Sequence, residues 1–249
     1  MDAGYRHMSF CNGNCGGKCN PAFAPGNANP GDAKPIWVRQ LEGALTQQVA
    51  RPASLAGGHS LYDALHPYQK AAVDHGLRRD GRILLGHEMG LGKTLMALTL
   101  CAHYEALGEG PVLVVAPPVL LEQWAGEILQ WVPGVTRSQV QVVHKGSDVI
   151  SATARFVLTS FGLFTGTKSK TAQGGQTNAH LRETSDGRHY AILVVDECHA
   201  LKSMSSGRTA ALLPAMRRAR RVVLMSGTPM ANSCAADIEM MVDLISRRG

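Results

Sequence analysis

The residues in this chain best suited to chemistry form a glycine-rich stretch after a short apolar run. The stretch reads His87, Glu88, Met89, Gly90, Leu91, Gly92, Lys93 and Thr94. Glycines let a backbone approach a ligand closely, and the N-terminus of the helix predicted next would direct N–H groups at an anion. Lys93 could bind the β- and γ-phosphates of a nucleotide, and the Thr94 hydroxyl could ligate Mg²⁺. The stretch therefore predicts a phosphate-binding loop, although His87 stands where the general pattern has glycine.

A second candidate site follows another apolar run, at residues 191–195. If this run is a strand, Asp196 and Glu197 lie at the carboxyl edge of a sheet, where ligands of open α/β sheets bind. Asp196 could then hold the same Mg²⁺ as Thr94, and Glu197 could polarise the water that attacks a γ-phosphate. The alternative is an exposed acidic pair in a turn. Two adjacent carboxylates after five apolar residues favour the cation site, because like charges side by side are costly without a cation.

These sites need a scaffold, and apolar runs alternate with helical repeats along the chain. Runs rich in valine and leucine predict strands at residues 83–85, 112–116, 140–143, 156–159, 191–195 and 222–225. Apolar residues at three- and four-residue spacing predict helices at residues 67–77, 94–106, 119–131, 206–215 and 235–245. Continuous apolar strands separated by helices are typical of a parallel sheet covered on both faces, so we predict an α/β fold.

Composition divides the chain into two parts. Residues 1–58 are predicted to be a tail rich in glycine, asparagine and proline, with one short amphipathic helix at residues 36–49. Residues 59–249 are predicted to form a single lobe. Within it, the polar stretch at about residues 166–189 is too hydrophilic for the core and is expected to be a surface loop.

Charge and hydropathy narrow the class of protein. Lys and Arg number 25 against 19 Asp and Glu, a formal net charge of +6 that favours a polyanionic partner. No apolar run reaches the roughly 20 residues of a membrane span, and the first residues lack a hydrophobic signal segment. We therefore expect an intracellular protein that is neither secreted nor embedded in a membrane, with mostly reduced cysteines.

One group of possible metal ligands lies in the tail. His7, Cys11, Cys15 and Cys19 recur every four residues and would suit a tetrahedral Zn²⁺ ion. None of their spacings is Cys-x-x-Cys, so free thiols in a flexible segment are the favoured alternative.

Six motifs in this order resemble those of the first RecA-like lobe of helicase-superfamily-2 ATPases. The resemblance is specifically to Swi/Snf-type DNA translocases, which include chromatin remodellers and the annealing helicases of fork remodelling and DNA repair. The motifs lie at residues 65–69, 87–94, 113–124, 156–161, 196–199 and 225–229. The wording Glu-Met-Gly-Leu-Gly-Lys-Thr at residues 88–94 is characteristic of this family rather than of phosphate-binding loops in general.

The resemblance implies ATP and Mg²⁺ as cofactors and gives roles to particular residues. Gln69 is expected to contact adenine, and residues 88–94 are expected to bind the phosphates. The expected catalytic residues are Lys93, Asp196 and Glu197. The residues expected to couple the ATP site to the DNA site are His199, Ser226, Gly227 and Thr228.

For the nucleic acid, the resemblance implies that one DNA strand is gripped through its phosphates without reading of sequence. The residues expected to make these contacts are Pro117, Pro118, Thr159 and Ser160. Lys145, Lys168 and Lys170 could add salt-dependent affinity. The arginine-rich run at residues 217–221 has two interpretations, because cations at a helix end also offset the helix dipole.

Three positions depart from the family pattern. His66 stands where arginine is usual, His87 where aspartate is usual, and Cys198 where a smaller residue is usual. The helix after the last motif also lacks the usual Glu-Leu-Trp-type sequence. These differences bear on the subfamily more than on nucleotide binding, because neutral imidazole and a small thiol do not block a phosphate site.

The sequence thus predicts the ATP-binding lobe of an ATP-dependent translocase on double-stranded DNA, nuclear in a eukaryote and otherwise cytoplasmic. The second RecA-like lobe of the family is not found before Gly249. We therefore expect this polypeptide alone to bind ATP and hydrolyse it slowly. Two alternatives are a nucleotide- or DNA-binding fragment without turnover and an RNA-directed helicase lobe of the same superfamily.

Overall fold

The computed structural model describes residues 59–165, 183–201, 207–228 and 235–246. Its strands are β1 (Arg82–Leu85), β2 (Val112–Ala116), β3 (Val140–Val142), β4 (Phe156–Ser160), β5 (Ile192–Val195) and β6 (Arg221–Met225). They form one six-stranded sheet in the order β1-β6-β5-β2-β4-β3. Every neighbouring pair is parallel. The predicted α/β fold with a parallel sheet is confirmed.

The helices are α1 (His59–Ala64), α2 (Pro67–Arg78), α3 (Lys93–Ala106), α4 (Leu121–Trp131), α5 (Phe161–Thr165), α6 (Gly207–Arg218) and α7 (Ala235–Ser246). The sequence did not predict α1 and α5, because 6 and 5 residues are too few for a helical repeat. The predicted helix at 119–131 begins later, after a 3₁₀ turn at Pro118–Leu120. Helix α6 continues past Pro214, which lies on its exposed side.

Buried apolar side chains form one cluster on each face of the sheet. Along β2, Val112 and Val114 join the cluster under α2, α3 and α4, whereas Leu113 and Val115 join the cluster under α5, α6 and α7. This division follows from the strand geometry, because successive side chains point to opposite faces. Every residue of β2, β4 and β5 is buried, which explains why these strands read as continuous apolar runs.

The parallel strands place all their carboxyl ends at one edge of the sheet, here called the carboxyl edge; the opposite edge is the amino edge. Because β1, β6 and β5 are neighbours, the loops that follow them meet in one half of the carboxyl edge. We call this part the nucleotide half. The loops after β2 and β4 lie beside it, and we call that part the duplex half.

Several predictions fall outside the described residues. They include the tail at residues 1–58, its helix at 36–49 and the candidate zinc ligands His7, Cys11, Cys15 and Cys19. Most of the polar insertion, residues 166–182, also lies outside. The rest of it is an exposed turn at residues 185–189 between two buried residues, Thr184 and Tyr190. Among the described helices, none is long and apolar enough to cross a membrane.

Candidate nucleotide and nucleic-acid site

The glycine-rich stretch forms a loop between β1 and α3 whose backbone requires glycine. Gly90 and Gly92 have φ of +81° and +74°, a region that side chains with a Cβ rarely adopt. At Gly92 space is also limiting, because a Cβ there would lie 2.3 Å from Gln69 Nε2. Gly92 is the N-cap of α3, so the loop delivers the chain directly to a helix N-terminus. This is the backbone arrangement that binds phosphate.

Lys93 is the first residue of α3, one position earlier than the helix was predicted to start. Its Nζ donates hydrogen bonds to the carbonyl oxygens of His87 at 2.8 Å and Glu88 at 2.9 Å. The ammonium group therefore lies across the loop that a phosphate would occupy. A phosphate would be a stronger acceptor than these neutral carbonyls, since both partners of the bond would be charged. Thr94 follows in the first turn and is half-buried.

Gln69 fastens α2 to the phosphate loop. Its buried side chain accepts a hydrogen bond from His66 N at 2.8 Å and donates one from Nε2 to Leu91 O at 3.1 Å. Tyr68, which sequence reasoning missed, also donates to Leu91 O at 3.3 Å. These bonds use one donor and one acceptor of the Gln69 amide and leave another of each. The adenine contact of Gln69 stays a prediction that this geometry permits.

Aromatic rings surround the entrance to the loop. The rings of His66 and Tyr68 stack with centroids 5.9 Å apart, and Tyr68 is tilted against His87 at 6.3 Å. His87 Nδ1 is buried and has no hydrogen-bond partner among the described residues. Burial, and secondarily the positive charge of Lys93, lowers the pKa of His87. The imidazole is therefore neutral near pH 7, and the aspartate usual in the family is replaced by an uncharged ring.

Asp196 is held in place by two hydrogen bonds, one to each carboxylate oxygen. Oδ1 accepts from Glu197 N at 2.9 Å, and Oδ2 accepts from Trp124 Nε1 at 3.0 Å. Trp124 and Asp196 are both buried. Sequence reasoning did not assign a role to Trp124, although it lies in the matched segment 113–124. Its indole joins α4, which follows the duplex half, to the carboxylate predicted to hold Mg²⁺.

The chain turns sharply after Asp196. Glu197 has φ of +48°, a left-handed conformation that costs a residue with a Cβ roughly 1 kcal/mol. The turn places Glu197 Oε2 3.0 Å from His199 Nδ1, and the same nitrogen lies 3.2 Å from Ser226 Oγ. Ser226 Oγ in turn accepts from Thr228 N at 3.1 Å. The predicted catalytic glutamate and three of the predicted coupling residues thus form one chain of polar contacts.

The fourth predicted coupling residue, Gly227, contacts the phosphate loop. A Cβ at this position would lie 2.8 Å from Met89 Cγ and 3.6 Å from Lys93 Nζ. The loop after β6 therefore packs closely against the loop after β1, and a side chain at residue 227 would require the exposed Met89 side chain to move.

The residues present fit a magnesium nucleotide. Within the described residues, no group of three or more His, Cys, Asp or Glu side chains is placed to bind a metal ion. Mg²⁺ in nucleotide sites does not need such a group, because phosphate oxygens and water supply most of its ligands. One hydroxyl from Thr94 and one carboxylate from Asp196 would be enough, and both lie in the nucleotide half.

The duplex half contains the residues predicted to contact DNA. Pro118 is exposed and Pro117 is half-buried. Thr159 and Ser160 are buried within β4; within the described part of the chain Thr159 Oγ1 has no hydrogen-bond partner, and Ser160 Oγ accepts from Leu163 N at 3.3 Å. The DNA contacts of these four residues stay a prediction. Lys145 is exposed, whereas Lys168 and Lys170 lie outside the described residues.

The chain is similar in sequence to two groups of known proteins. Over 166 residues the chain is 34% identical to the DNA annealing helicase and endonuclease ZRANB3 of Bos taurus, which covers 66% of this chain and 14% of that protein. Over 165 residues it is 34% identical to the SWI/SNF-related matrix-associated actin-dependent regulator of chromatin subfamily A-like protein 1 of Xenopus tropicalis, covering 66% and 16% respectively. The chain therefore spans only a small part of the length of these relatives.

Solved structures support the fold. The Sulfolobus solfataricus SWI2/SNF2 ATPase core in complex with dsDNA matches with a TM-score of 0.57 and 20% identity, over 77% of this chain and 37% of that chain. The Pyrococcus furiosus Hef helicase domain matches with a TM-score of 0.56 and 16% identity, over 78% and 38%. Both matches are to helicase-type cores, in agreement with the RecA-like lobe predicted above. Residues 68–248 match the model of the SNF2-related domain, and because this is most of the chain, the chain belongs to that family.

Proposed function

We propose that this domain is the ATP-binding lobe of a DNA-dependent ATPase that moves along double-stranded DNA. The observation that supports this most is the contact of the segment at residues 225–229 with the phosphate loop, where Gly227 packs against Met89 beside Lys93. The relatives named for DNA annealing and for chromatin regulation support DNA as the partner, which would imply a nuclear location in a eukaryotic cell.

The nucleotide half supplies the groups that ATP hydrolysis requires. Residues 88–94 would bind the phosphates, Gln69 would contact adenine, and Thr94 and Asp196 would hold Mg²⁺. The bound ion would neutralise charge that develops on the β- and γ-phosphates. Glu197 would orient the attacking water, and its contact with His199 at 3.0 Å fixes the direction of the carboxylate.

Two connections could couple nucleotide binding in the nucleotide half to DNA binding in the duplex half. One is the chain of contacts from Glu197 through His199 to Ser226, which joins the segments at residues 196–199 and 225–229. The other is the hydrogen bond from Trp124 to Asp196, because Trp124 lies on α4 directly after the exposed Pro118. A shift of this loop on DNA binding would reach the Mg²⁺ carboxylate through one helix.

The 249-residue polypeptide alone should bind ATP but turn it over slowly. In phosphoryl transfer an arginine that stabilises the transition state contributes roughly 10³–10⁵ in rate. In the resembled family this arginine comes from a second lobe. The alternative functions, binding without turnover and action on RNA, are separated from our proposal by measuring hydrolysis with both kinds of duplex.

The test compares Glu197→Gln with Glu122→Gln, a matched change at an exposed position of α4. Binding of a fluorescent ATP analogue and release of phosphate are measured with and without duplex DNA or duplex RNA, over a range of protein concentrations. We expect Glu197→Gln to bind the nucleotide like the wild type and to lose its hydrolysis, while Glu122→Gln keeps both. Hydrolysis that persists in Glu197→Gln would contradict the assigned role, and stimulation by RNA alone would favour the RNA-directed alternative.

A further inference from the structure

Five exposed arginines lie at the amino edge of the sheet, on the side opposite to the nucleotide half. They are Arg78, Arg79, Arg217, Arg218 and Arg220, and we call them the arginine surface. Arg78 and Arg79 lie at the end of α2 just before β1, Arg217 and Arg218 end α6, and Arg220 follows them just before β6. Because β1 and β6 are paired neighbours, the two groups lie next to each other at the same edge.

A buried arginine beneath this surface holds its parts together. The guanidinium of Arg82 donates to Ala219 O at 3.0 Å, to Leu244 O at 2.7 Å and to Ile245 O at 3.0 Å. It therefore ties the last turn of α7 to the segment after α6. The exposed arginines project from a rigid frame rather than from a free loop.

A second arginine beneath the surface, Arg221, is paired with the carboxylate of Glu109. Arg221 donates to both oxygens of Glu109, at 2.9 and 2.6 Å, and lies 4.2 Å from the ring centre of Tyr104. Among the described residues, none of the five exposed arginines forms such an ion pair. The guanidinium groups of Arg82 and Arg221 thus have partners within the domain, whereas the five arginines of the arginine surface face solvent.

The surface contains two adjoining grooves that share Arg82. One, of about 460 Å³, includes Arg78 and Arg79, and the other, of about 620 Å³, includes Arg217, Arg218 and Arg220 in its wall. The pKa of His75 in the first groove is lowered, chiefly by burial and further by Arg79 and Arg78, as expected where positive charge is dense. The chemistry of these grooves suits an anion with repeated charges.

The five exposed arginines are more than is needed to offset the dipoles of two helix C-termini. Cations in the last turn of a helix offset its dipole, but the effect is confined to that turn and amounts to about 0.3–1 kcal/mol. Arginine, unlike lysine, presents a planar fork that binds two oxygens of one phosphate. Exposed apolar side chains, which an amphipathic peptide would need, are scarce here: Val242, 45% exposed, is the large one lining the grooves.

We propose that the arginine surface binds the phosphodiester backbone of nucleic acid at a site separate from the carboxyl edge. Strand β2 alone separates the two edges by roughly 13 Å, at about 3.3 Å for each step between its five residues. A straight duplex lying across the carboxyl edge therefore does not fill the grooves. A nucleic-acid segment held here is a second one, gripped through phosphates without reading of sequence.

The test uses the double variant Arg217→Gln/Arg218→Gln. The control is Arg137→Gln/Arg188→Gln, which removes the same charge from exposed positions outside the surface that precede β3 and β5 and so lie away from the carboxyl edge. Affinity for a labelled duplex is measured by anisotropy at several salt concentrations, and bridging by energy transfer between two differently labelled duplexes. Thermal unfolding of both variants verifies that the fold is kept.

We expect the Arg217/Arg218 variant to lose bridging and its slope of log affinity against log salt to fall by about 1.8, at about 0.9 for each lost phosphate contact. The control should keep both properties. Equal behaviour of the two variants would overturn the proposal. Affinity for a polyglutamate peptide is measured in parallel. If the Arg217/Arg218 variant loses affinity for this peptide but not for the duplex, the proposal is also overturned, because the surface would then bind an acidic protein. Failure of the proposed function gives a different result. If the carboxyl edge does not bind DNA, neither the wild type nor any variant bridges duplexes, but the affinity for a single duplex still falls in the Arg217/Arg218 variant and not in the control.

Discussion

The nucleotide half and the duplex half share one edge of one sheet but differ in how ready they are for a ligand. In the nucleotide half, the predicted functional groups already contact one another, as in the chain from Glu197 through His199 to Ser226. In the duplex half, Thr159 and Ser160 face the interior. A small charged ligand needs its binding groups assembled beforehand, because each group ordered on binding costs affinity. A long backbone can instead be gripped by main-chain groups that move into place.

The position of the strands accounts for part of this difference. Strand β1 ends the sheet and pairs with β6 alone, and its glycine-rich loop is held by Gln69 and packs against Gly227 after β6. Strand β4 lies between β2 and β3, and α5 begins immediately after it. Ser160 Oγ is therefore used to accept a hydrogen bond from Leu163 N near the start of that helix. This bond uses one acceptor site of the hydroxyl and leaves its O–H donor, so the burial of Ser160, rather than the bond, limits its contact with a phosphate.

The largest effect should come from the centre of the nucleotide half. Lys93→Ala removes a mobile cation from the phosphate loop, while the loop keeps its shape through the Gln69 bond to Leu91 O. Charge-assisted hydrogen bonds contribute about 1.5–3 kcal/mol, so affinity for Mg·ATP should fall by roughly tenfold to more than a hundredfold. Calorimetric titration measures this, with Lys145→Ala as a matched control at an exposed lysine. Unchanged affinity in Lys93→Ala would refute the assignment of the phosphate loop.

The next effect concerns the bond that joins the two halves. Trp124→Phe keeps most of the ring in the core but leaves Asp196 Oδ2 without its donor at 3.0 Å. Losing the partner of a buried charged group costs about 1–3 kcal/mol, so the free energy of unfolding should fall by this amount. The concentration of Mg²⁺ needed for nucleotide binding should also rise, because the carboxylate is less well oriented. Denaturant unfolding and Mg²⁺ titration measure the two effects.

Trp131→Phe, at a half-buried position near the end of the same helix, is the control for Trp124→Phe. Both substitutions remove one indole from α4. If the two variants need the same Mg²⁺ concentration, Trp124 has only a packing role and the halves are not linked through it.

How far the sequence predicts this molecule depends on the kind of information each feature needs. Continuous apolar runs identified β2, β4 and β5, because a strand buried on both faces leaves no other pattern. The wording of residues 88–94 identified the phosphate loop, because few backbones need glycine at two such positions. Trp124 was missed, since its partner Asp196 is 72 positions away and no local pattern marks such a pair. The burial of Thr159 was missed for a related reason, because motif position gives no side-chain direction.

A smaller effect tests the duplex half. Thr159→Val removes a buried hydroxyl that has no partner in the described structure and keeps the shape of the side chain. Removing an unsatisfied polar group should leave the free energy of unfolding unchanged or raise it by up to about 1 kcal/mol, and DNA affinity should not change. Thr99→Val is the contrast. Its hydroxyl donates a hydrogen bond to Leu95 O at 2.8 Å, so its removal should lower the free energy of unfolding. A clear loss of DNA affinity in Thr159→Val would mean that β4 rearranges to expose this hydroxyl.

The smallest expected effect is the pH dependence that His87 contributes to the nucleotide half. Its pKa is lowered, first by burial and then by Lys93, so the folded protein keeps this imidazole neutral where the unfolded chain takes up a proton. Unfolding is therefore favoured as the pH falls below the ordinary histidine value of about 6.5. Burial also lowers the pKa of His75 and His103, so they act in the same direction. Replacing His87 should weaken this loss of stability but not abolish it.

His87→Gln tests this contribution, with His144→Gln as the control at an exposed histidine. Urea unfolding is measured between about pH 7.5 and pH 5, a range that spans the ordinary pKa of histidine. Relative to the wild type, His87→Gln should lose less stability over this range, by an amount below about 1 kcal/mol because solvent screens a half-buried group. The control should follow the wild type. If His87→Gln also follows the wild type, the ring is protonated as readily in the folded as in the unfolded chain. The neutral imidazole would then no longer distinguish this phosphate loop from the aspartate-containing loops it resembles.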